Sequence, residues 1–163
     1  MDIYKKGVEL DISEDIISAT KYYIKSIRIG EPTPDSYINL FLIQWLAIFD
    51  LGFKEKYKLT EENYYNGILE LSEIIKIGKI KYPENIEFEF WEKYFDNILG
   101  YKEFSYKECK DLISKDSNKN LVPYFFLYIK SGKKEYILEK QELVNKISAK
   151  LTTKNRYILS VME

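Results

Sequence analysis

The sequence predicts an all-α fold: a single compact domain, 1–163, of about seven helices around a buried central helix at 36–51. Three observations predict it. Between Tyr37 and Leu51 the only strongly polar side chains are Asn39, Gln44 and Asp50, and a helix that is apolar almost all round is covered by its neighbours. Outside that stretch apolar residues recur at i, i+4, i+7 and i+11, the stripe of an amphipathic helix. Leu, Ile, Lys and Glu are abundant and the 4 prolines sit at segment boundaries, as helix propensity demands.

The first segment, Met1 to Asp11, reads as a short lead-in, either an extended arm or a first turn. Ser13 is placed as an N-cap, with Glu14 and Asp15 where the helix dipole favours anions. Ile16, Thr20, Tyr23 and Ile27 then form one helical face, and Lys21, Lys25 and Arg28 fall opposite. That basic stripe reads as a solvated face in preference to a nucleic-acid patch, because the chain's net charge is −1. Gly30 is the expected stop, and Glu31-Pro32-Thr33-Pro34 is a stiff connector.

The central helix follows, with Pro34 in its first turn, Asp35 or Ser36 as cap and Gly52 as stop. A membrane span needs about 20 consecutive apolar residues, and Asp35 and Asp50 bracket a shorter run. A buried strand pair needs a turn, and none occurs between Tyr37 and Leu51. Lys54 to Leu59 is a connection with room for a short helical turn. Thr60 then caps a helix whose face is Tyr64, Ile68, Leu71 and Ile75, with Gly67 allowing close approach and Gly78 as its stop.

Ile86 to Phe90 alternates as a strand would, but a longer window favours a helix. Phe88, Trp91, Phe95, Ile98 and Leu99 gather on one side, and Asn85, Glu89, Glu92 and Asp96 on the other. Glu87 alone falls on the wrong face, which a first-turn position would excuse, and Gly100 is a natural stop. Ser105 and Glu108 make a capping box for a short helix to about Ser114. Cys109 in it reads as a small buried residue. Leu121 to Ile129 is the second strongly apolar run, capped by Asn120. A β-hairpin through Ser131-Gly132 is its rival. Tyr136, Leu143, Ile147 and Leu151 keep helical spacing, which favours a helical hairpin instead. Lys154 to Glu163 closes the chain as a short docking element. Antiparallel helix pairs in a solenoid-like stack remain open as the arrangement.

Composition excludes more than it assigns. Without histidine there is no Ser-His-Asp or Cys-His centre and no His-based metal site. A lone cysteine makes neither a disulfide nor a zinc cluster. No phosphate-binding glycine motif is present. The expectation is a non-enzymatic protein with no cofactor and no metal. No apolar leader segment is apparent near the N-terminus, and the expected location is cytoplasmic. Aromatic residues reach 16%, with 15 tyrosines, whose apolar bodies and polar tips suit contact surfaces. Charge is uneven: Glu84 to Asp116 holds nine acids against five lysines, and Lys130 to Glu163 holds eight basic residues against four acids.

Small size, a single helical domain, the lack of catalytic apparatus, abundant tyrosine and the acidic face from Asn85 to Asp96 together resemble the all-helical immunity proteins that bacteria encode beside polymorphic or contact-dependent toxins. The resemblance implies a cytoplasmic protein that neutralises a cognate toxin domain, often a nuclease with a basic cleft. The partner-binding residues expected on that reading are Glu89, Glu92 and Asp96, with Asn85 and Tyr101 beside them. The expected partner is a basic protein toxin, with no membrane or nucleic-acid role and with the oligomeric state open. Alternatives are a phage-encoded anti-defence protein, a nucleic-acid-binding regulator using Lys21, Lys25 and Arg28, and a carboxylate-only metal hydrolase.

Overall fold

A computed structural model describes residues 2–29, 31–64 and 70–163. Among them are eleven helices and no strand: α1 (Ile3–Ile12), α2 (Ile16–Ile29), α3 (Pro34–Phe49), α4 (Leu51–Lys56), α5 (Glu61–Tyr64), α6 (Leu71–Lys81), α7 (Glu87–Ile98), α8 (Tyr106–Ser114), α9 (Pro123–Lys130), α10 (Ile137–Ser148) and α11 (Thr153–Met162). The chain forms two compact units, Met1–Gly78 with Lys150–Tyr157, and Lys79–Ala149 with Ile158–Glu163. Their boundary falls inside α6 and again inside α11.

The fold is all-helical as expected, but with eleven helices in place of seven, and local hydrogen bonding explains the difference. The presumed lead-in is α1, opened by the Asp2 carboxylate, which accepts the Lys5 N–H at 3.1 Å. Ser13 ends α1 and does not open α2. Glu14 adopts a left-handed conformation, φ 63°. Its N–H donates to Asp11 O at 3.0 Å and the Asp15 N–H to Leu10 O at 2.9 Å, a Schellman closure. Asp15 caps α2 by accepting the Ser18 N–H at 3.2 Å.

α3 begins two residues before the expected start at 36, with Thr33 as N-cap in place of Asp35 or Ser36 and its N–H donated to Ser36 Oγ at 3.2 Å. It ends at Phe49. Asp50 then opens α4 by accepting the Phe53 N–H at 3.0 Å, so Gly52 lies inside a helix instead of stopping one. α4 closes as α1 does, on Lys58 at φ 50°, with Lys58 N–H to Glu55 O at 3.1 Å and Leu59 N–H to Lys54 O at 3.0 Å. The single helix expected after Thr60 is divided into α5 and α6, and Gly78 is buried within α6 instead of ending it. The expected roles of Gly30, Gly67 and Ile68 lie outside the described residues. Residues 154–162 of the expected closing element belong to α11, which begins at Thr153.

In the first unit α3 is buried continuously from Ser36 to Ala47. α2 packs on it, and α1 packs on α2. Gly7 makes the second contact close: a β-carbon there would meet the Tyr23 ring at 3.0 Å. Gln44 Nε2 donates to Tyr64 O at 2.8 Å and ties α3 to α5. Asp11, 0% exposed, is the polar knot of the unit. Its carboxylate accepts from Thr153 N and Thr153 Oγ1, both at 2.7 Å, from Tyr23 Oη at 3.0 Å and from Arg156 Nη2 at 3.1 Å. Burial pushes the Asp11 carboxyl above its ordinary value, opposed by the Thr153 hydrogen bonds and the Arg156 charge.

In the second unit the helical reading of residues 86–90 and of the 124–137 region holds: Glu87 to Phe90 lie in α7, and no described residue is in a strand. Ser131-Gly132 ends α9 in a left-handed turn, Gly132 φ 68°. The Ser131 hydroxyl accepts the Lys134 and Glu135 N–H groups at 3.3 and 3.0 Å. α10 ends at Ser148, so Leu151 lies beyond it. Asn120 acts just before α9, accepting the Val122 N–H at 2.9 Å, while Val122 occupies the N-cap.

Candidate functional site

α7 carries the expected site, and its inner face packs into an aromatic cluster. Phe88, Phe90, Trp91, Tyr94 and Phe95 are buried there with Phe104, Phe125 and Phe126. Ring centroids lie 5.5 Å apart for Phe90–Phe125, 5.4 Å for Trp91–Phe95 and 4.7 Å for Phe104–Phe126, within the range of favourable edge and offset packing. Glu87 is also inside. Its position is not a tolerated first-turn misfit: the carboxylate accepts Trp91 Nε1–H at 3.0 Å, one turn along, and Asn120 Nδ2–H at 3.2 Å.

Glu89, Glu92 and Asp96 lie half-buried along the outer edge of the same helix, spread over about 10 Å at 1.5 Å per residue. Two of them carry local counter-ions: Lys79 Nζ lies 2.6 Å from Glu92 and Lys93 Nζ lies 3.7 Å from Glu89. Asp96 has no ion pair among the described residues. Asn85 is engaged at the helix start, where its Oδ1 accepts the Glu87 N–H at 3.0 Å. At the other end Gly100, φ 75°, closes the helix. Tyr101 N–H donates to Asp96 O at 2.9 Å and Gly100 N–H to Asn97 O at 3.2 Å. This turn leaves the Tyr101 side chain 76% exposed. The structure thus places the five expected residues along one helix and its two ends.

The capping box of α8 forms as expected, with Ser105 N–H to Glu108 Oε2 at 2.8 Å and Glu108 N–H to Ser105 Oγ at 3.2 Å. Those bonds hold the Glu108 carboxyl below its ordinary value. Cys109 is buried, its thiol 3.7 Å from Pro123 O, and burial pushes it up to about 12, which leaves no thiolate for chemistry at neutral pH.

A tyrosine cluster was not legible in the sequence. Tyr106 Oη donates to Glu135 Oε2 at 2.6 Å and lies within hydrogen-bond distance of Tyr136 Oη at 3.3 Å, and the Tyr124 and Tyr136 rings lie 5.6 Å apart. Tyr136 is left-handed, φ 59°, just before α10, whose first residues Ile137 and Leu138 are exposed. Abundant tyrosine was the available signal, and it gives no positions.

Among the described residues no three acidic or cysteine side chains gather to hold a metal ion. No described helix is long and apolar enough to cross a membrane. The described residues form an all-helical protein in which one edge of α7 carries a row of carboxylates. No family model, curated protein or solved structure matches the chain.

Proposed function

We propose that the protein is an immunity protein that binds a cognate bacterial toxin domain and occludes its active site. The observation that supports this most is the row of Glu89, Glu92 and Asp96 on a helix fixed from behind by aromatic packing. A nuclease holds phosphates with cations. Carboxylates presented on one helix engage the same cations and offer no bond to cleave. Preorganisation lowers the ordering cost of such an interface, and a negative edge accelerates encounter with a basic cleft. Lys79 and Lys93 are compatible with this role. Both pairs are only partly buried, and surface pairs are worth about 0–1 kcal/mol, so a cation of the partner can compete with either lysine. Tyr101, exposed at the helix end, supplies an amphipathic contact of the kind enriched at interfaces. In this reading the chain performs no chemistry, needs no cofactor and acts in the cytoplasm.

The test is co-expression with the toxin domain encoded by the neighbouring gene. Growth should be restored, and the two chains should purify as a stable complex. Glu89→Lys/Glu92→Lys/Asp96→Lys should abolish protection while retaining the helical circular dichroism of the parent. A toxin that kills in the presence of the chain, or a neighbouring gene with no toxin domain, contradicts the reading. Undiminished protection by the triple variant removes the site assignment.

A further inference from the structure

The outer face of α2 aligns three cations beside a surface depression. Five cations of the first unit are matched with carboxylates, Lys5 with Asp2, Lys6 with Glu9, Lys56 with Glu14, Lys154 with Asp35 and Arg156 with Asp11, and Lys54, Lys58, Lys76 and Lys150 stand singly with no ion pair among the described residues. Lys21, Lys25 and Arg28 are exposed and have no carboxylate partner among the described residues. Their spacing, i, i+4 and i+7, puts three positive charges in one stripe about 10 Å long. Beside them is an open depression of about 290 Å³ lined by Lys21, Ile24, Lys25, Arg28 and Ile29. Ile24 is buried and forms apolar floor, while Ile29 stands 70% exposed at one end.

We propose that this stripe is a phosphate-binding site for single-stranded nucleic acid, with the phosphodiester chain along Lys21, Lys25 and Arg28 and a sugar or base against Ile24 and Ile29. Three features favour that ligand. A row of unpaired cations matches a linear array of phosphates, and the guanidinium of Arg28 grips a phosphate with two parallel hydrogen bonds. The apolar floor between the charges gives a nucleoside a place to sit, which a carboxylate-rich peptide does not require. The stripe is narrow and its opposite face is core, unlike the broad basic and apolar faces that lie on membranes. The proposal does not depend on the toxin-binding reading, because it uses a different unit and charges of the opposite sign.

The experiment is fluorescence anisotropy of a labelled single-stranded oligodeoxynucleotide of about 16 nucleotides, the upper end of common site sizes. Lys21→Glu/Lys25→Glu/Arg28→Glu is the test variant, and Lys134→Glu/Lys140→Glu is the surface control. The parent and the control should bind saturably. Log affinity should fall with log salt at a slope of about −2, as three single-strand phosphate contacts require. The test variant should bind at least tenfold more weakly with an unchanged melting temperature. Inorganic triphosphate and anionic phosphatidylserine vesicles are the comparison arms. Triphosphate that displaces the oligonucleotide supports the phosphate chemistry. Triphosphate binding without oligonucleotide binding, or vesicle binding alone, overturns the assignment to nucleic acid. Equal affinity of the parent and the test variant overturns the site. Should the test variant fail to fold, Lys25→Gln and Arg28→Gln singly must each weaken binding, or the site is likewise overturned.

Discussion

The first unit closes around α3 mainly with aliphatic side chains, whereas the second closes around α7 with a cluster of aromatic rings. Both also bury a carboxylate, and they satisfy it differently. Asp11 lies against the Arg156 guanidinium and the Thr153 and Tyr23 donors. Glu87 accepts from an indole and an amide. The two helices differ most in what they leave outside. α3 is buried over its length from Ser36 to Ala47 and has no face free for a partner there. α7 buries one side and presents Glu89, Glu92 and Asp96 on the other. A helix covered all round announces a fold, and a two-sided helix announces a surface as well.

The largest effect expected from this contrast is at the two tryptophans. Trp91→Ala removes a fully buried ring, at a cost of about 3–5 kcal/mol. It also removes a donor from the buried Glu87 carboxylate, adding about 1–3 kcal/mol. Trp45→Ala should cost about 3–5 kcal/mol and therefore less than Trp91→Ala. Urea unfolding of both variants gives the order. The reverse order breaks the contrast, and an unaffected Trp45→Ala protein means that α3 is not the core of its unit.

Asp11 sharpens the comparison through pH. Burial raises its carboxyl above the ordinary 3.8 in the folded state, so between those two values the folded chain holds more protons than the unfolded one. Stability contributed by Asp11 is then complete below the unfolded value and declines as pH rises through the folded one. Asp11→Asn lacks this titration. The stability of the parent relative to Asp11→Asn should fall as pH rises from about 3.8 and then level off. A relative stability that instead rises as pH approaches about 3.8 from below and is level above it would show that the Arg156 and Thr153 contacts outweigh burial.

Smaller effects test the packing and the turns of the first unit. Gly7→Ala forces a methyl group against the Tyr23 ring and should lower stability by about 1–3 kcal/mol. No change would show that α1 does not hold its close contact with α2. Lys58→Gly relieves a left-handed backbone at φ 50° and should raise stability by about 0.5–1 kcal/mol, as read from the denaturation midpoint.

That last position also explains which parts of the fold were legible. α7 and α9 end on Gly100 and Gly132, both left-handed, and these stops could be read because glycine marks them. α1 and α4 close with the same hydrogen-bond pattern on Glu14 and Lys58. Nothing in a glutamate or lysine advertises a left-handed residue, so the sequence of those helices reads as a lead-in and a connection. Gly52 and Gly78 gave the converse error, since both lie within helices. In the candidate site, the outward row of α7 followed from its spacing. The inward Glu87 did not, because its acceptance by Trp91 and Asn120 needs a residue 33 positions away. The lysines that pair with Glu89 and Glu92 divide in the same way: Lys93 lies one turn along, and Lys79 comes from α6.

The central claim is that the outer edge of α7 recognises the partner, and the association rate tests it most directly. Stopped-flow mixing of the chain with the toxin domain should give a rate constant that falls steeply with salt. Glu89→Lys/Glu92→Lys/Asp96→Lys should slow association at least tenfold, within the range of electrostatic steering. An association rate and affinity unchanged in the triple variant would contradict the account.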